Sequence, residues 1–311
     1  MQSSVAVEEN VQTSPIQERR GRYVLRVGYD GSLFNGFQAQ RHRRKEMMVP
    51  TVQQTIEGAI AKILKIDVGD VHLRGASRTD VGVHARDQVV SFYSHRCLDE
   101  GTLQRALNAV LPDSLQVYAA EWVPPDFHPL IHIKSKTYEY KVYSGAIMQP
   151  VERFDKMHMP NALDMNRMLE AAKVLVGQHD FIHYSSMKSA TLAKRKVSTI
   201  KTVENIAIEP VENGLVFTVK GRGFLYHQVR HIVGAILAAG RNRFDVSYLS
   251  EMLNPQGEFE HHSPKWRMCP AEGLCLREIE LMPLPQPTVL IHPELPHDED
   301  GRVYVIPKEG R

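Results

Sequence analysis

The first apolar alternation in the chain runs Tyr23-Val24-Leu25-Arg26-Val27-Gly28-Tyr29, which predicts a strand with Tyr23, Leu25, Val27 and Tyr29 on one face. Gly31, Asn35 and Gly36 break it, and the basic run Arg41-His42-Arg43-Arg44-Lys45 reads as a loop. Pro50 and Thr51 then open a helix. Thr51 and Gln54 form a capping-box pattern, and Val52, Ile56, Ile60 and Ile63 recur at helical spacing. A short strand is expected over 88–93, a second helix on Leu103, Ala106, Leu107 and Val110, and a strand over 115–122 closed by Pro124-Pro125. The second half repeats the style. It predicts a strand at 137–143 and a helix at 164–176 with Met165, Met168, Leu169 and Ala172 inward and Gly177 as its stop. Strands near 199–208 and 214–220, helices at about 227–239 and 245–253, and a strand at 274–281 complete it, before Pro283, Pro285 and Pro287 end regular structure. Strand–helix alternation twice over predicts an α+β fold of two similar halves, assigned to 22–128 and 129–284. Residues 1–21 read as a disordered leader and 285–311 as a polar, Pro-containing tail.

Composition adds bounds. The chain has 311 residues, 42% hydrophobic and 24% charged, enough for one large core or two smaller ones. A net charge of +2 does not mark a nucleic-acid binder, so local clusters must carry that reading. Two exist: Arg41, Arg43, Arg44 and Lys45, and then Lys188, Lys194, Arg195 and Lys196. Cys97, Cys269 and Cys275 show no CxxC spacing, which speaks against a disulfide framework or a cysteine zinc site and fits a reducing, intracellular compartment. No apolar run approaches the roughly 20 residues that span a bilayer, so no membrane partner is expected. The first twenty residues carry Glu8, Glu9 and Glu18 and lack the apolar core of a secretory signal; their acids also argue against a transit peptide. The cytoplasm is the default compartment, with nucleus and mitochondrion left open.

The stretch richest in chemistry is Gly75-Ala76-Ser77-Arg78-Thr79-Asp80-Val81-Gly82-Val83-His84-Ala85. It reads either as a loop that uses Gly for turns and Asp for a local backbone hydrogen bond, or as a carboxylate held beside an arginine in a cleft. RTDVGVHA closely resembles the signature RTDAGVHA of the TruA family of pseudouridine synthases. Further blocks follow in family order: Tyr29-Asp30-Gly31 with Gly36-Phe37-Gln38, Val52-Gln53, Asp126-Phe127-His128, Lys136-Thr137-Tyr138-Glu139-Tyr140, Gly177 with His179-Asp180-Phe181, FLYHQVRHIVG from Phe224 to Gly234, and Pro270-Ala271-Glu272-Gly273-Leu274. Together they cover about residues 23 to 281. The chain departs from the pattern at Ser77 (Gly in the family), at Val81 (Ala) and at Gln228 (often Met), and its 41–48 segment is longer and more basic than the short bacterial form.

The resemblance implies two α+β halves sharing one continuous mixed sheet with a central active-site cleft. It implies a homodimer and a structured-RNA substrate, most often tRNA at the anticodon arm, other structured RNAs remaining open. It also implies isomerisation of uridine to pseudouridine without cofactor or metal. By resemblance Asp80 is the catalytic carboxylate, acting as nucleophile or as a base at C2′. Arg230 is the cation that keeps it charged, Tyr138 stacks on the target base, and Arg78 holds or replaces the flipped nucleotide. Thr79 and His84 are expected at the substrate from the same motif, and Arg41, Arg43, Arg44 and Lys45 at RNA phosphates. Two other classes compete. A metal-dependent hydrolase is suggested by His227 and His231, one helical turn apart, but Gln228 stands where HExxH needs its Glu, Arg230 would repel a cation, and no third ligand is evident. A catalytically inactive RNA-binding relative would have lost the Asp or the Arg, and both are present.

Overall fold

The alternation at Tyr23 forms β1 (Gly21–Tyr29), and the helix after it is α1 (Val52–Leu64). Thr51 caps α1 through the expected box: its hydroxyl accepts from the Gln54 amide, and the Gln54 side chain accepts from the Thr51 N–H. Then come β2 (Arg74–Gly75), β3 (His84–Ser94), α2 (Glu100–Asn108) and β4 (Leu115–Val123). The second half contributes β5 (Ile133–Tyr143), β6 (Met157–His158), α3 (Met165–Leu175), β7 (Gly177–Asp180), β8 (Ile200–Val211), β9 (Gly214–Gly221), α4 (Gln228–Gly240), α5 (Ser247–Leu253) and β10 (Leu274–Leu281). This computed structural model describes residues 21–40, 49–94, 98–187, 197–253 and 263–283. The basic stretches at 41–45 and 188–196 lie outside the described residues, as do Cys97, the tail from 284 and the leader up to residue 20.

Among the described residues the strands make one mixed sheet of ten, in the order β4-β1-β3-β10-β5-β9-β8-β7, with β2 beside β3 and β6 beside β5. The two halves meet where β10 returns to lie parallel to β3, pairing Cys275 with His84 and Leu276 with Ala85. On its other edge β10 runs antiparallel to β5, pairing Leu276 with Tyr138 and Cys275 with Glu139. Paired residues share a face, and neighbours along a strand alternate. Ala85, Leu276 and Tyr138 therefore face one way, and His84, Cys275 and Glu139 the other. On the latter face Arg86 and Arg277 approach Glu139 at 3.5 and 3.0 Å, bridging all three strands at the join.

Three expectations change in detail. Leu169 is 40% exposed, because the inward stripe of α3 is Met168, Ala171, Ala172 and Leu175, and Leu169 lies about 100° around the helix from it. His227 is not a helical residue but the N-cap of α4, in the left-handed region at φ 66°. Gly177, expected to stop α3, follows its end instead: α3 closes at Leu175 with Val176 already extended, and Gly177, at φ +117°, opens β7.

α4 carries part of the site, and its packing fixes that site. Ile232 and Ile236 are fully buried, each contributing about 1.5–3 kcal/mol relative to exposure. A Cβ on Gly234 would meet the Arg267 carbonyl at 2.2 Å, so only glycine lets the helix lie this close to the segment leading into β10. That segment is tied back by the Cys269 N–H, which donates to the Arg230 carbonyl at 3.2 Å.

Candidate active site

The Ala76–Asp80 loop is held along its whole length. The Ala76 N–H donates to the Val89 carbonyl at 2.8 Å, and the Ala76 carbonyl accepts from the Lys136 ammonium at 2.7 Å. Gln88, fully buried on β3, clamps Ser77 twice: its Oε1 accepts the Ser77 N–H at 3.1 Å and its Nε2 donates to the Ser77 carbonyl at 2.9 Å. Gln88 can reach the loop because the β1–β3 ladder is irregular. Two steps along β1, Val27 to Tyr29, span three along β3, Gln88 to Ala85, which brings Gln88 onto the face of Ala85. The Thr79 hydroxyl bonds the Tyr29 hydroxyl at 2.8 Å, and the Phe37 N–H donates to the Thr79 carbonyl at 3.1 Å. Gly82, at φ +80°, supplies the turn that closes the loop into β3.

The loop presents Asp80 to the start of α4. Arg230 Nη1 donates to Asp80 Oδ2 at 3.4 Å, while Arg230 Nε donates to the Cys269 carbonyl at 2.7 Å. Arg230 is only 8% exposed, so its guanidinium is aimed by packing as well as by charge. His227 Nε2 lies 3.3 Å from the same Asp80 oxygen. Burial raises the Asp80 pKa above the ordinary carboxylate range, and the Arg230 charge and hydrogen bond oppose the rise.

Asp80 opens into a cleft of about 1020 Å³ whose walls include Tyr138, Lys136, Phe224, Tyr226, Arg78 and Lys201. Among the described residues its charged lining is four cations, Arg78, Lys136, Lys201 and Arg230, against one acid, Asp80, so the site is locally positive although the chain is nearly neutral. Arg78 is exposed, with its side chain in the cleft wall. Tyr138 is 7% exposed; its hydroxyl bonds Ser77 Oγ at 2.8 Å and its ring meets Phe224 edge-on at 5.4 Å. Burial pushes its pKa up to about 12, so the phenol is neutral. Tyr140, on the same face, is fully buried and bonds the Pro270 carbonyl, which makes it a core residue. Burial pulls the Lys136 ammonium down to about 8.

The structure thus brings together Asp80, Arg230, Tyr138 and Arg78. It does not bring His84 to them. His84 is the first residue of β3, and its pairing with Cys275 turns it to the opposite face, where it lines a separate pocket with Asp30, Arg86 and Lys141. Its Nδ1 accepts the Gly31 N–H at 3.2 Å. His84, expected beside Asp80 at the substrate, therefore stands outside the cleft that holds Asp80. Thr79 borders the cleft, but its hydroxyl is engaged by Tyr29. Arg41, Arg43, Arg44 and Lys45 lie outside the described residues. Lys136, Lys201, Gln88 and the contact between Ser77 and Tyr138 were not singled out from the sequence. Lys136 was in view only as part of a motif block.

The family model described as tRNA pseudouridine synthase matches residues 26–130 and 171–280. Both Asp80 and Arg230 fall within these segments, and Tyr138 falls between them. A protein from Limosilactobacillus reuteri (strain DSM 20016), named tRNA pseudouridine synthase A, is 36% identical over 261 residues, covering 83% of this chain and 96% of the relative. Proteins of the same name from Streptococcus equi and Streptococcus pneumoniae are 37% and 39% identical, covering 83% and 75% of this chain and 98% and 89% of their own lengths. With a family match over more than half its length and relatives aligned almost end to end, the chain belongs to the tRNA pseudouridine synthase family, of the TruA type.

Proposed function

We propose that this RNA-modifying isomerase uses Asp80 to convert a uridine of tRNA, in the anticodon arm, to pseudouridine. One observation carries the reading: a single carboxylate, gripped by a buried guanidinium, stands in a cationic cleft beside a buried tyrosine. Pseudouridine formation breaks the N1–C1′ bond, turns the uracil and rejoins it through C5; the C5 proton leaves and the freed N1 takes one up, so the product is an isomer. Asp80 acts at C1′ as nucleophile or at C2′ as base, and either role needs it ionised. Arg230 supplies the opposing charge. Tyr138 packs against the uracil. The uridine reaches the site only after leaving its stack, at a cost of a few kcal/mol, and Arg78 at the cleft wall holds it there. The test is release of tritium from tRNA carrying ³H at uridine C5, followed by mapping of the new pseudouridines. A chain that releases no tritium from any tRNA would instead be a binding relative without turnover. Family resemblance further supports a homodimer, which sedimentation at assay concentration would test.

Two predictions belong here. Activity should survive dialysis against a zinc chelator. Among the described residues no cluster of three or more His, Cys, Asp or Glu could hold a metal, and His231 Nε2 is taken by Ser186 at 3.0 Å. Loss on chelation with recovery on adding zinc would revive the hydrolase. The second concerns Arg41, Arg43, Arg44 and Lys45. Changing all four to Ala should weaken binding of different tRNAs about equally and flatten the salt dependence of affinity, because fewer counterions are released. An unchanged salt slope would make this run a solvated surface, and a changed choice of uridine would make it a reader of RNA features.

A further inference from the structure

His227, one of the two histidines a helical turn apart, has its nearest polar neighbour in Asp80. We propose that His227 is a second donor to the Asp80 carboxylate, fastening the oxygen that Arg230 holds and leaving the other oxygen for the ribose. The proposal rests on Asp80 being the reacting carboxylate, and it assigns His227 a positioning role.

Three observations support it. His227 Nε2 and Arg230 Nη1 converge on one atom, Asp80 Oδ2, at 3.3 and 3.4 Å. The Arg230 contact is a hydrogen bond, whereas His227 Nε2 stands at contact distance without the alignment of one, so a small turn of the ring is needed to complete the donation. Second, among the described residues the Nδ1 of His227 is buried with no hydrogen-bond partner, and the polar atom its ring meets is the carboxylate oxygen. Of the two neutral tautomers, the one with hydrogen on Nε2 offers a donor to Oδ2, and the other would set a lone pair against it. Third, the backbone is bent to deliver the ring. His227 lies at φ 66°, where L residues are uncommon, and its side chain makes no capping bond to α4. The Tyr226 ring is stacked on it at 3.6 Å and fixes its plane.

The electrostatics agree. Burial and the neighbouring Arg230 charge push the His227 pKa down to about 4, so the ring is neutral at pH 7 and donates without competing with Arg230 as a second cation. A donor to the charged form of Asp80 lowers a pKa that burial raises. In the cleft around this carboxylate stand Arg230 and His227 from α4 and its cap, Tyr138 and Lys136 from β5, Arg78 from its own loop, Tyr226, and Lys201 from β8, with His231 coupled to His227 and Arg230 behind them. Of these, His231 is likewise pulled down to about 4 and stays neutral near pH 7.

The experiment compares His227→Gly, His227→Gln and Asp80→Asn in single-turnover assays on C5-tritiated tRNA from pH 5 to 9, with RNA affinity and thermal unfolding measured alongside. Gly tolerates the left-handed backbone and removes the donor; the Gln amide nitrogen reaches about as far as an imidazole Nε2. His227→Gly should lower the rate about tenfold with little change in affinity, a size typical of losing a hydrogen bond to a charged group. It should also move the acid limb to higher pH, because a less stabilised carboxylate protonates sooner. His227→Gln should recover most of the rate and return the limb toward its original position. Unchanged rate and limb in His227→Gly, with Asp80→Asn inactive, would overturn the proposal and reduce His227 to a helix start. An active Asp80→Asn would instead overturn the reading beneath it.

Discussion

Asp80→Asn should lower pseudouridine formation at least about 100-fold, the usual cost of losing a positioned acid–base group, with tRNA affinity nearly unchanged. Asn keeps the shape, and its carbonyl can still accept from Arg230, so the loop retains its clamps from Gln88, Lys136 and Tyr29. What disappears is the negative oxygen to which the proposed function gives the attack on C1′ or the removal of the C2′ proton. Stability should move the other way. Burial raises the folded-state pKa of Asp80, so the folded chain holds that proton more tightly than the unfolded one. For an acid shifted upward, the ionised form costs stability once pH passes above the folded pKa, and the cost is absent below the unfolded value. Removing the charge should therefore leave the melting temperature at pH 7 equal or higher, with the difference vanishing toward pH 3. A variant that melts clearly lower at pH 7 would show that the Asp80–Arg230 pair supports the fold. Turnover above about a hundredth of wild type would remove Asp80 from the chemistry.

Much of the architecture was legible because its elements are long enough to show a period. The strand expected at 274–281 coincides with β10, and the capping box placed the start of α1 to the residue. β2 and β6, two residues each, are too short to carry an alternation, and β7 has four. The join between the halves was beyond any local pattern: β3 and β10 are about 190 residues apart, and their pairing is two residues long. The resemblance implied a continuous sheet but not its register, and register is what decides His84. As part of a contiguous motif His84 looked like a neighbour of Asp80. Once the motif enters β3 its residues alternate in face, and Ala85, not His84, shares the face of Tyr138. Lys136 and Gln88 were invisible for a related reason. Each acts through a backbone atom of a loop distant in sequence, so its role exists only after the sheet has formed. In the sequence Ser77 is only a departure from the family Gly, whereas its hydroxyl reaches Tyr138, a contact that Gly could not make.

Arg230→Leu should reduce turnover about 100-fold while changing tRNA affinity only slightly, because its partner is Asp80 and not a phosphate. Two effects add. The cation that opposes desolvation is lost, so the Asp80 pKa rises further and a smaller share of the enzyme is competent at pH 7. The carboxylate also loses its orientation, since Arg230 is braced at the far side of its fork by the Cys269 carbonyl at 2.7 Å. Arg230→Lys separates the two. Its ammonium keeps the charge but lacks the planar fork, so it cannot hold Cys269 and Asp80 in one fixed geometry. The Lys variant should keep the acid limb of the rate near its wild-type position and still turn over more slowly. The Leu variant should shift that limb to higher pH and lower the plateau as well. In both, the Cys269 carbonyl loses its guanidinium donor, so some loss of stability should appear in each and cannot account for a difference between them in pH profile. If Arg230→Leu weakened tRNA binding as much as turnover, its side chain would be reaching a phosphate of the bound RNA, and the charge that keeps Asp80 ionised would have to come from Lys136 or Arg78 across the same cleft.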